Sequence, residues 1–114
     1  MRSEWKSATV NAAVNAKLTN AVYLDVPYNN LLIETPAVTN SATISLQVAD
    51  ASDGLFRDLY IVNVADGAPL KLITAATPSN YAWQVPLSGY QYIKVVASAD
   101  QANGCVFKVC GSTG

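Results

Sequence analysis

Asp50-Ala51-Ser52-Asp53-Gly54, with Asp58 nearby, could gather oxygen ligands for a calcium ion. A calcium loop of the helix-loop-helix kind alternates its ligands and closes on a bidentate glutamate. Asp50-Ala51-Ser52-Asp53-Gly54 does neither. It reads as a solvated hairpin loop, and no metal ligand is assigned. The other acids, Glu4, Asp25, Glu34, Asp66 and Asp100, fall mostly in turns or at strand ends, where short acids support turn conformations. Paired-carboxylate catalysis would need two of them held across one cleft. The chain has no histidine, so a serine or cysteine nucleophile would lack its usual base, and no Gly-x-Ser-x-Gly elbow or phosphate-cradling glycine loop occurs. The expectation is a protein without catalytic residues, cofactor-binding residues or cofactors.

Cys105 and Cys110 sit five residues apart in what reads as one strand. At about 3.3 Å per residue their Cα atoms would be about 16 Å apart, with side chains on opposite faces. A disulfide allows only about 4.4–6.8 Å, so two free thiols are expected. Two cysteines without histidine also fall short of the four Cys/His groups of a structural zinc site. Tyr81 and Trp83 share one face of a predicted strand and, with Tyr90 or Tyr92, would make a platform for a sugar ring. The competing role for Trp83, with Val85 on the same face, is core packing. Tyr92, outward in its strand, is the better surface contact.

Lys+Arg number 7 against Asp+Glu 8, and the pI is near 5.0. That is no clustered basic surface for a phosphate backbone, and nucleic acid is not an expected partner. The apolar residues come in short alternating runs, so no membrane partner is expected either. Met1-Arg2-Ser3-Glu4-Trp5-Lys6 runs into Ser7-Ala8-Thr9-Val10-Asn11, which is too polar for the core of a secretory signal.

The elements that would position these groups are strands. Period-two alternation is clearest in Ala42 to Val48, where Ile44, Leu46 and Val48 share a face opposite Thr43, Ser45 and Gln47. It recurs with Ile93, Val95 and Ala97 inward and Tyr92 and Lys94 outward. It recurs again with Cys105, Phe107 and Val109 opposing Val106, Lys108 and Cys110. Further strands are predicted at Ala21 to Val26, Leu31 to Thr35, Arg57 to Val64, Leu70 to Ile73 and Tyr81 to Val85. Asp53-Gly54, Asp66-Gly67, Ser88-Gly89 and Asn103-Gly104 mark turns between them, and Pro27, Pro36, Pro69, Pro78 and Pro86 sit at strand margins. This spacing predicts an all-β protein, an antiparallel, jelly-roll-like β-sandwich. Lys71, Lys94 and Lys108, mid-strand on the solvent face, would guard against edge-to-edge pairing.

Residues 1–20 differ from the rest, with more Ala and Asn, an isolated Trp5 and sparse apolar residues. They read as an N-terminal arm ahead of a β-sandwich domain over 21–114. The alternatives are a first edge strand or a frayed terminus, and Ala8 to Leu18 is a weak helix candidate.

Ile44-Ser45-Leu46-Gln47-Val48, the loop Asp50 to Phe56, the turn at Asp66-Gly67 and the run Pro86-Leu87-Ser88-Gly89-Tyr90-Gln91-Tyr92-Ile93-Lys94-Val95-Val96 together resemble the small β-sandwich structural proteins of tailed bacteriophages. The resemblance is closest to capsid decoration (cement, head-stabilising) proteins and covers roughly residues 40–111. It implies a virion protein made in the host cytoplasm that binds the major capsid protein on the outer surface of an icosahedral shell and stabilises it. It further implies a homo-oligomer, a trimer before a dimer. Trp5, Val10, Val14 and Tyr92 are the interface candidates, the first three as anchors along the arm. Related sandwiches serve in tails and adhesins, which leaves a carbohydrate- or receptor-binding module of a tail or fibre as the alternative.

Overall fold

In the computed structural model, residues 4–38, 40, 42–51, 54–62, 69–71, 82–87 and 89–113 are described. The strands are β1 (Lys6–Thr9), β2 (Val22–Tyr23), β3 (Asn30–Glu34), β4 (Ile44–Ala49), β5 (Arg57–Asp58), β6 (Tyr60–Val62), β7 (Pro69–Lys71), β8 (Ala82–Pro86), β9 (Tyr92–Ala97) and β10 (Val106–Ser112). One four-stranded sheet has the order β1-β10-β3-β8 and the other β2-β9-β4-β5, while β6 and β7 form a separate pair. Every pairing is antiparallel. The pairings are nested: β1 takes β10, β2 takes β9, β3 takes β8 and β4 takes β5. A long hairpin wound over on itself in this way, with successive strands laid alternately in the two sheets, is a jelly roll.

The alternation seen in the sequence builds the core. Ile44, Leu46 and Val48 of β4 lie opposite Ala97, Val95 and Ile93 of β9, all turned inward and buried. The other sheet answers with Leu31 opposite Val85, Ile33 opposite Val109 and Phe107 opposite Ala8. Each large side chain removed from water in this way contributes about 1.5–3 kcal/mol. Gly111 continues the inward row, opposite Leu31, and the ring of Tyr28 occupies the space its side chain would take.

The N-terminal segment takes the edge-strand alternative. Lys6–Thr9 pair with Val106 to Val109, and Ala8 and Val10 belong to the same core as the residues after position 20. The helix candidate Ala8 to Leu18 is replaced by β1 and turns, because Ala8 and Val10 gain more from the sheet than an alanine-rich stretch without caps gains from a helix. The chain then crosses between sheets. Val10 bridges Thr19, and the Thr9 amide donates to Asn20 Oδ1 at 2.8 Å. The Thr19 amide donates to the Val95 carbonyl at 3.1 Å, and Thr19 Oγ1 accepts from the Val95 amide at 3.0 Å. Nearby, Lys6 of β1 donates to the Tyr23 carbonyl of β2 and pairs with Asp25 at 3.3 Å. One side of the sandwich is thereby stitched into a corner, as happens where a strand changes sheets.

Three expectations are corrected. Ser45 and Cys110, assigned to solvent, are buried. Ser45 lies in the row Leu18, Val96, Ser45 across the outside of the second sheet. Cys110 faces out beside Leu32, and the β1 register carried one residue further sets Trp5 alongside it. Lys94 and Lys108 do not guard edges, since β9 and β10 are interior strands of their sheets. Lys71 is in β7, opposite Tyr60.

Candidate binding surfaces

Of the four interface candidates, Val10 offers no surface, being only 1% exposed in the core. Period-two alternation through Ala8 turns it inward, a consequence of β1 being a true strand. Trp5 is 41% exposed and borders a shallow groove of about 390 Å³ on the outside of the first sheet, with Leu32, Glu34, Ala82 and Gln84. Val14 is 82% exposed at the tip of the loop after β1. It borders a second groove of about 330 Å³ with Asn15, Leu18, Asn20, Ala21 and Lys94.

Tyr92 is half-buried on the outer face of the second sheet, stacked against Tyr23 with ring centroids 4.8 Å apart and planes at 25°. Offset stacking of this kind adds about 0.5–1.5 kcal/mol beyond area burial. Lys94, one outward position along β9, holds its ammonium 4.4 Å from the centre of the Phe56 ring. Tyr23, Tyr92 and Ala49 are cross-strand partners in one row, so the second sheet presents an aromatic outer face. The first sheet presents Trp5. The candidates therefore lie on two surfaces rather than one.

The strands that carry Trp83 and Tyr92 of the expected sugar platform belong to different sheets. Tyr81 lies outside the described residues, and Trp83 is in β8 of the first sheet, opposite Ile33, while Tyr92 is in the second. Tyr23 was the partner missed. Its signal was in the sequence: in Ala21 to Val26 the alternation that buries Val22 and Leu24 turns Tyr23 outward.

Asp50 and Asp58 border one cleft. With Leu55, Arg57, Tyr60 and Tyr90 they line a cleft of about 470 Å³ where β4 ends and β5 begins. Asp53 lies outside the described residues. Among the described residues no three His, Cys, Asp or Glu side chains gather as metal ligands. Cys105 and Cys110 are not joined in a disulfide. Burial pushes the Cys105 thiol above its ordinary 9.0, because a thiolate is poorly solvated there.

With this geometry in view, one solved structure is informative. The chain is similar in fold to the SPBc2 prophage-derived protein YomS. The two share 12% identity at a TM-score of 0.55, over 97% of this chain and 94% of the other. At that identity the likeness establishes the fold. No protein-family model matches the chain, and no curated protein matches it in sequence.

Proposed function

We propose that this chain is a structural protein of a tailed-bacteriophage particle, binding the outer surface of the icosahedral capsid and stabilising the shell as a decoration protein. The observation that carries the phage reading is the likeness in fold to a prophage-derived protein over almost the whole of both chains. The sequence resemblance to decoration proteins supports the finer assignment. Two outward surfaces, Trp5 with its groove and the Tyr23–Tyr92 face with Val14 beside it, supply contacts of the kind a lattice-bound module needs. Aromatic side chains carry a disproportionate share of binding energy at such interfaces. Many identical weak contacts on a repeating shell add through avidity, so neither surface has to be large. In this role the protein performs no catalysis, takes no cofactor, and works as a homo-oligomer, a trimer before a dimer, against the major capsid protein.

The test is its copy number in purified virions, measured by quantitative mass spectrometry against the major capsid protein. Near-equimolar abundance supports decoration of the whole lattice. A few copies per particle would move the assignment to a tail or fibre, and absence from particles would end the virion reading.

A further inference from the structure

We infer that the cleft between β4, β5 and Tyr90 is a saccharide-binding site. Its volume, about 470 Å³, falls within the roughly 300–1,000 Å³ of small-molecule sites. Its lining selects among ligand classes. Tyr60 and Tyr90 are 49% and 39% exposed and offer aromatic surface on which a ligand can stack. Beside them stand two carboxylates, Asp50 and Asp58, and one guanidinium, Arg57.

Two acids against one base disfavour a phosphate or other anion. The polar groups disfavour a purely apolar ligand. A neutral polyol answers all of them at once: its hydroxyls donate to Asp50 and Asp58 and accept from Arg57 and the tyrosine hydroxyls, while its C–H face rests on a tyrosine ring. The site sits at one end of the sandwich, apart from Trp5 and its groove. A particle-bound copy therefore keeps it open when the first sheet is the attached face. The inference stands apart from the decoration reading, because the cleft belongs to the chain wherever the chain resides.

The experiment uses the full chain, purified, on an array of bacterial surface polysaccharides. Array hits are then followed by titration of the same glycan against ¹⁵N-labelled protein. Binding is expected, with amide shifts concentrated at 55–60 and 90. Tyr90→Ala and Arg57→Ala, both at exposed positions, should each weaken it at least tenfold while leaving the circular dichroism spectrum unchanged. Failure to bind any array member overturns the inference. So does a glycan whose affinity survives both substitutions, which would place the site elsewhere, for example on the Tyr23–Tyr92 face.

Discussion

At the scale of single residues, two glycines separate steric from conformational cost. A Cβ on Gly111 would lie 2.2 Å from the Tyr28 ring, whereas one on Gly104 meets nothing within 4 Å but must accept a φ of +83°. A left-handed conformation costs an alanine about 1–2 kcal/mol, while overpacking a core typically costs about 1–3 kcal/mol and more when a ring has no room to retreat. Gly111→Ala should therefore lower the denaturation midpoint further than Gly104→Ala, as urea titrations would read. Equal losses would mean that Tyr28 moves aside freely. The thiols give a pH prediction. The folded-state pKa of Cys105 is raised, so its contribution to stability is whole below the ordinary thiol pKa and is lost as pH rises through the higher folded value. Iodoacetamide should modify Cys105 of the folded protein with a pH midpoint above 9.0, and leave the buried Cys110 unmodified until urea is added. Both thiols should react in urea without reductant; a pair that stays silent would mean a disulfide.

At the scale of elements, legibility followed alternation. β4, β9 and β10 were readable because Ile44-Leu46-Val48, Ile93-Val95-Ala97 and Phe107-Val109 are unbroken every-second-residue rows that bury completely. β1 was harder to read, because its inward row is Lys6, Ala8 and Val10: a lysine and a methyl group signal little burial. Whether an outward residue meets water was not readable, since that depends on what crosses the sheet. Ser45 and Cys110 are buried by neighbours far away in sequence. The cleft at Arg57 and Tyr60 escaped notice for the same reason, since Tyr90 joins it from another strand's approach. The edge-strand role of β1 changes what truncation would do. Removing residues 1–20 takes Ala8 and Val10 from the core and uncovers one side of β10, at a cost of at least about 3 kcal/mol, a large fraction of a small domain's stability. Thermal denaturation of the truncated protein should show it. Phe107→Ala, at the centre of the core, should cost about 3–5 kcal/mol, measured in the same way.

At the scale of the whole molecule, attachment to a capsid has to be tested on surface side chains, because truncation confounds binding with folding. Trp5→Ala and Val14→Ala leave the residues packed between the two sheets in place and probe opposite surfaces. On purified shells Trp5→Ala should lower occupancy by about tenfold, the scale of a removed aromatic anchor, where the first sheet is the attached face, and Val14→Ala should lower it by less where the second is; the variant on the free face should leave it unchanged. Unchanged occupancy in both would remove Trp5 and Val14 from the interface. Nested pairing also governs when the fold can form. β10 lies between β1 and β3, and β9 between β2 and β4, so neither sheet can close until the last strands have left the ribosome. The early strands must wait, partly exposed, for partners about 50 to 100 residues downstream, and such non-local pairing folds slowly. Assembly of the first sheet therefore waits for β10, and a chain cut short before β10 should be digested by protease faster than the full chain.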